Sequence, residues 1–239
     1  QTFTDFEFIV VDDGSTDTTG EILREYSIAD WRVAFAQNEE NIGLTRSLNK
    51  ALRMATGQYI GRQDADDISM PERIAQQVGF LDANPKVGLV GVQAYVIDDK
   101  NRVMRRLVVP VGDLDIRWRM LFSNSFVHGG VMFRSSLLHE VGYYDERILY
   151  AQDYDYWVRV SEKCTVANLT QTLVCWRLVP TCITITNWVQ QQASAIGTSQ
   201  RQIGRWAHEL GSIGAASWTP QSLNVISQFG RRQFEELTP

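Results

Sequence analysis

Phe6-Glu7-Phe8-Ile9-Val10-Val11-Asp12-Asp13-Gly14-Ser15-Thr16-Asp17 is the stretch on which the fold turns. Its first six residues form a nearly continuous apolar and β-branched run, the pattern of a strand buried on both faces of a parallel sheet. Two aspartates and a glycine end the run. Gly14 permits a tight turn, and Ser15, Thr16 or Asp17 supplies an N-cap for a helix that begins near Thr18. Ile22, Leu23 and Tyr26 give that helix an apolar stripe.

The same grammar recurs downstream. Residues 33–36 predict a second strand, and Asn41-Ile42-Gly43 a loop. Residues 44–55 predict a helix with Leu44, Leu48, Ala51, Leu52 and Ala55 on one face, ended by Gly57. Residues 59–63 predict a third strand that runs into Asp64-Ala65-Asp66-Asp67. Pro71 opens the next helix, which carries Ile74, Val78 and Leu81. Strand, acidic turn, helix, repeated, predicts an α/β class with a Rossmann-like, mostly parallel sheet and helices on both faces. In such sheets ligands bind at the carboxyl ends of the strands, where both acidic clusters fall.

Beyond Gly88 the pattern changes. Residues 89–97 and 102–109 predict an antiparallel extension joined by a polar turn over 98–101. Helices follow over 116–122, 135–141 and 152–162, with strands over 129–133 and 166–178. A long Gln-rich helix spans 187–210, and past Gly211 no pattern emerges. The expected organisation is one α/β domain over 1–180 and a helical C-terminal extension over 181–239.

Composition narrows the function. With 239 residues, 44% hydrophobic and 21% charged, the chain reads as a soluble globular protein. A net charge of -5 gives no bulk attraction to nucleic acid. Cys164, Cys175 and Cys182 are odd in number and form no Cys-x-x-Cys pair, so neither a disulfide framework nor a zinc site is indicated. No apolar run reaches the length of a membrane span and no signal peptide is visible, which points to a cytoplasmic location.

Four places can carry chemistry. Alternate residues of an extended segment face one side, so Asp64 and Asp66 can converge on one point. Paired carboxylates there suit a hard divalent cation, Mg2+ or Mn2+, that arrives with a diphosphate; a solvated turn capping the next helix fits the same residues. Asp12 and Asp13 can accept hydrogen bonds from a base or ribose, or serve as turn and cap. Arg46 can pair with a nucleotide or face solvent. Asp153, at the start of a helix and packed by Tyr154, Tyr156 and Trp157, can act as a general base or simply favour the helix dipole. His128 is a lone histidine before Gly129-Gly130, a pattern more often structural. Trp118, Phe122, Tyr143, Tyr144 and Trp157 line an acceptor site or belong to the core.

Order and spacing make these signals specific together. The stretches IVVDDGSTD, NIGLTRSLNKAL, YIGRQDADDISMPERI, FVHGGVMFR and YAQDYDYWVR resemble the family two glycosyltransferases of GT-A fold over roughly residues 1–180. The resemblance implies that Asp13 binds the base and Arg46 helps hold the nucleotide. It implies that Asp64 and Asp66 form the Asp-x-Asp motif, with Asp66 the direct metal ligand, and that Asp153 is the catalytic base. It further implies a nucleoside diphosphate sugar donor, a glycan or lipid-linked acceptor, and inversion in a single displacement. The setting it suggests is bacterial polysaccharide assembly at the inner face of the plasma membrane, with peripheral membrane contact. Against the family pattern, an N-terminal strand and helix are expected ahead of Gln1, and Gln152 stands where Glu is usual. Trp176-Arg177-Leu178-Val179 lacks the family's histidine. Gln202-Ile203-Gly204-Arg205-Trp206 matches a motif of processive synthases, but without the membrane helices that accompany it. The rivals are a catalytically impaired nucleotide-sugar-binding relative and a nucleotidyltransferase, which would need a Gly-rich basic phosphate loop that is not visible. A glycosidase would use paired carboxylates without a metal.

Overall fold

The computed structural model describes residues 1–180 and 182–212. The opening run forms β1 (Phe8–Asp12), followed by α1 (Thr19–Ala29), β2 (Val33–Gln37), α2 (Leu44–Met54), β3 (Tyr59–Gly61), β4 (Ile68–Ser69) and α3 (Arg73–Ala83). Then come β5 (Val87–Ile97), β6 (Val103–Leu107), α4 (Asp113–Met120), β7 (Met132–Arg134), α5 (Leu137–Val141), α6 (Gln152–Ser161), β8 (Thr165–Arg177), α7 (Ile183–Thr186) and α8 (Trp188–Ser212). This is the α/β fold that the sequence predicts, but its sheet is in two pieces. β1 and β2 form a parallel pair by themselves. The other six strands run β3-β7-β5-β8-β4, with β6 on β5. β5 and β8 are parallel, whereas β3, β4, β6 and β7 join by antiparallel ladders, so the antiparallel part is larger than the repeats suggested.

β5 is the spine because it is apolar on both sides. Leu89, Val90, Val92, Ala94 and Val96 have no exposed surface. Gln93 in its middle is equally buried and satisfied by its neighbours: its amide donates to the Val109 and Leu169 carbonyls and its oxygen accepts the Val109 N–H. Under β5 lies an aromatic cluster of Phe133, Tyr144, Tyr156 and Trp157. Trp157 is fully buried and meets Phe133, Tyr144 and Tyr156 at centroid distances of 5.8, 6.1 and 5.1 Å. A ring buried so completely contributes roughly 3–5 kcal/mol.

Two helices depart from their expected faces. On α1, Ile22 and Tyr26 are exposed, because a two-stranded sheet is too narrow to cover the whole stripe. On α2, Leu44 is exposed while Thr45, Ser47 and Asn49 are buried with Leu52. Residues 129–133 form a 3-10 turn (His128–Gly130) and then β7, not one strand. Side chains of α3 intervene there: Gln77 donates to the Gly130 carbonyl and buried Arg73 to the Val131 carbonyl. The last helix, α8, packs on α6 and on the end of α4: Ile203 meets Leu121 and Phe122, and Ser199 donates to the Leu121 carbonyl at 2.6 Å. The part of the expected 181–239 extension that follows α8, residues 213–239, lies outside the described residues.

Candidate active site

Asp12 and Asp13 end β1, yet their carboxylates are engaged within the protein. Asp12, 4% exposed, accepts the Ser15 N–H and the Gln37 side-chain amide, each at 3.0 Å. Asp13 accepts four bonds: Asn38 Nδ2 (2.8 Å), the Ile42 N–H (3.0 Å), the Gly43 N–H (2.9 Å) and Ser47 Oγ (2.8 Å). Burial works to raise the Asp13 carboxyl, and these donors outweigh it, holding the group below the usual carboxylate range. Asp13 therefore staples the 41–43 loop to β1 and α2. Gly14, at φ 74°, allows the loop to pass close, since a Cβ there would lie 2.5 Å from the Glu40 carbonyl carbon.

The polar buried face of α2 staples a second loop as well. Asn49 donates to the Tyr144 carbonyl at 3.0 Å and to Glu146 at 2.9 Å, and it accepts the Tyr144 N–H. Thr45 donates to the Ile148 carbonyl at 3.3 Å. Arg46, on the solvent side, is held loosely by Glu146 at 3.7 Å. The sequence signal for these staples was absent, because buried polar residues on a helix resemble a solvent face.

Asp64-Ala65-Asp66-Asp67 is a turn and not an extended segment, closed by the Asp67 N–H on the Asp64 carbonyl at 3.3 Å. Alternation therefore does not apply, and the oxygens that converge belong to Asp64 and Asp67. A Cβ on Gly129 would lie 2.8 Å from Asp64 Oδ2 and 2.6 Å from Asp67 Oδ2, so only glycine fits beneath them. Asp64 pairs with Arg62 at 2.5 Å. Asp67 Oδ1 accepts the Arg177 N–H, while its Oδ2 is buried without a partner. Burial raises the Asp67 carboxyl to about 6; the Arg177 N–H opposes this, and the charges of Asp64 and Asp66 add to it. Asp66 is exposed, and no hydrogen bond or ion pair among the described residues engages its carboxylate.

Asp153 stands on the first turn of α6, behind Ala151, a residue held in the left-handed region at φ 54°. Asn124 Nδ2 donates to Asp153 Oδ2 at 2.7 Å, leaving Oδ1 for another partner. Between this residue and the 64–67 turn lies His128, partly buried against Tyr144 and Trp157, with Nε2 3.3 Å from the Tyr144 hydroxyl. Burial and then Arg62 lower the pKa of this imidazole, while the carboxylates of Asp153 and Asp64 pull the other way. Both acids thus flank one aromatic floor. Of the suggested acceptor aromatics, Phe122, Tyr144 and Trp157 are core, whereas Trp118 and Tyr143 are exposed.

The donor set suits a hard divalent cation shared with a diphosphate: oxygen ligands only, crowded carboxylates, and one buried carboxylate oxygen without a partner. Among the described residues no three His, Cys, Asp or Glu side chains group to hold a metal alone. The synthase-like motif does other work on α8, where Ile203 is buried and Arg205 pairs with Glu162 at 2.6 Å. No helix among the described residues is long and apolar enough to cross a membrane.

Strands ending in acidic turns, a parallel β1–β2 pair, a mixed central sheet and a helix that opens on Asp153 are the arrangement of a GT-A domain. The profile of "Glycosyl transferase family 2" matches residues 1–142, and the chain belongs to that family. The amylovoran biosynthesis glycosyltransferase AmsE of Erwinia amylovora is 34% identical over 139 residues, covering 57% of this chain and 51% of AmsE. Staphylococcus aureus TarS 1-349 in complex with UDP-GlcNAc superposes with a TM-score of 0.65 at 19% identity, covering 97% of this chain and 64% of TarS. The mannosyltransferase PcManGT of Pyrobaculum calidifontis, in complex with GDP-Man and Mn2+, gives 0.58 at 17% identity, covering 92% and 59%. The chain spans 55%, 58% and 59% of the length of three further curated relatives.

Proposed function

We propose that this chain transfers a sugar from a nucleoside diphosphate donor to an acceptor hydroxyl with inversion, in the assembly of a bacterial polysaccharide or lipid-linked glycan at the inner face of the membrane. The observation that carries this reading is the Asp153 carboxylate, fixed by Asn124 through one oxygen, free at the other, and sharing a buried floor with the Asp-x-Asp turn. Asp153 accepts the acceptor proton as the hydroxyl attacks. A single displacement needs this one base and no covalent intermediate. Asp66, exposed and unengaged among the described residues, would hold Mg2+ or Mn2+ together with Asp64, whose oxygen converges with that of Asp67, and such an ion neutralises charge on the departing diphosphate. Arg46, exposed and loosely paired, adds a guanidinium for the nucleotide. Asp12 and Asp13 serve the base end, Asp13 by holding the 41–43 loop in shape. The ligands of TarS and PcManGT and the pathway named for AmsE support this reading.

The test is calorimetric titration of UDP, GDP and dTDP with and without Mn2+, on the wild-type chain and on Asp66→Ala. One nucleotide is expected to bind more tightly with Mn2+, and Asp66→Ala to remove that increment, about ten- to a hundredfold. Binding indifferent to both metal and substitution would refute the Asp-x-Asp assignment.

A further inference from the structure

An arginine 110 residues further along the chain holds the Asp-x-Asp turn. Arg177 closes β8. Its backbone N–H donates to Asp67 Oδ1 at 2.8 Å and its Nε–H to the Asp66 carbonyl at 2.7 Å. The two remaining guanidinium nitrogens reach the other way. Nη1 donates to the Asp98 carbonyl at 2.7 Å and Nη2 to Asn101 Oδ1 at 2.6 Å. These acceptors lie on the turn between β5 and β6, which is locked by its own bonds. Asp98 accepts the Lys100 and Arg102 N–H groups at 2.9 Å each and Arg102 Nε at 2.7 Å, and Asn101 takes a left-handed φ of 61°. One planar fork thus bridges a rigid turn and the metal-motif turn.

We propose that Arg177 is the positioning residue of the Asp-x-Asp motif: it carries the rigidity of the 98–101 turn to Asp66 and Asp67 and so fixes where the Asp66 carboxylate stands. The inference rests on the reading of Asp66 as a metal ligand. That carboxylate has no side-chain partner among the described residues, so its direction is set by its backbone, and Arg177 holds the Asp66 carbonyl. A ligand ordered in advance binds its ion more tightly, because the ordering entropy is already spent. Lysine, with one ammonium, cannot reproduce three divergent bonds.

The test compares the full chain with Asn101→Gly and Arg177→Lys. Asn101→Gly keeps the left-handed backbone, removes one acceptor, and touches neither the acidic turn nor the donor side. Three quantities are measured: amide hydrogen exchange over residues 64–69 without metal, the Mn2+ dependence of UDP and GDP binding, and the thermal midpoint. Exchange over 64–69 is expected to quicken in both variants. The Mn2+ concentration giving half-maximal enhancement should rise about threefold to tenfold in Asn101→Gly and about ten- to a hundredfold in Arg177→Lys. Metal-free nucleotide binding should stay unchanged, and the Asn101→Gly midpoint should move by no more than about 4 °C. Unaltered exchange in Arg177→Lys, or equal weakening of metal-free and metal-dependent binding, overturns the proposal. Metal-dependent wild-type binding that neither variant disturbs overturns the positioning role alone. Wild-type binding indifferent to Mn2+ overturns the metal reading and, with it, the purpose assigned to Arg177.

Discussion

Two acidic strand ends of this chain look alike in sequence and behave oppositely in structure. At Asp12-Asp13 the carboxylates are consumed: Asp13 alone takes four donors. At Asp64 to Asp67, and at Asp153 across the floor, acceptor capacity is left over. Among the described residues the Asp66 carboxylate has no partner, Asp67 Oδ2 is buried and unmatched, and Asp153 keeps one oxygen open. A carboxylate fully satisfied by its own chain builds; one left wanting is available to ions, protons and substrates. The contrast separates a supporting half from a reacting half.

The largest effect should come from the reacting half. Asp153→Asn is expected to cut sugar transfer by about a hundredfold to ten-thousandfold while donor affinity, read by calorimetry, hardly changes. A fall in affinity as deep as the fall in turnover would move Asp153 to the binding side. The supporting half should answer in stability. Asp13→Asn puts a donor amide where a carboxylate oxygen accepted, facing donors of the 38–47 segment, and urea unfolding should lose roughly 2–4 kcal/mol. A stable variant with weakened nucleotide binding would show that Asp13 contacts the donor directly, as the family resemblance implies.

The smallest effect tests the floor between them. Burial lowers the proton affinity of His128 in the folded chain, so below its ordinary pKa of 6.5 the unfolded chain binds more protons and stability falls with pH. Asp67 acts with the opposite sign. Its carboxyl, raised to about 6 from 3.8, makes the folded chain the better proton binder in that window and adds stability as pH drops. The His128 contribution is therefore read as a difference: His128→Asn should lose less stability than wild type between pH 7 and about 5. Parallel curves would show that His128 binds its proton equally well in the folded and unfolded chain.

Much of this was legible beforehand, for reasons that differ by residue. The run from Phe6 to Val11 and the long apolar β5 declare themselves because buried strands have a simple pattern. The acidic clusters fell at strand ends, and the order of motifs pointed to the fold and family that the comparisons support. The polar face of α2 was not legible. Thr45, Ser47 and Asn49 look like a solvent face until the loops they hold are in place. Nor was the pairing of Asp64 with Asp67, since an alternation rule assumes extended backbone and the segment is a turn. Arg177 showed no signal, because its partners Asp98 and Asn101 meet it only through the β5–β8 register.

The division of the sheet bears on how the molecule opens. Among the described residues no strand ladder links β1 and β2 to the six-stranded sheet, and α2 and side chains such as Asn49 make the join. Rupturing that join breaks side-chain bonds and the packing of Leu48 and Leu52 on the main core, and leaves both backbone ladders whole. The β1–β2 lobe is thus expected to loosen sub-globally while β5 and β8 stay protected to the limit of complete unfolding, an ordering that native-state hydrogen exchange checks. Protease nicks should accordingly gather first in residues 38–43, and a nucleotide bound there would act as the latch.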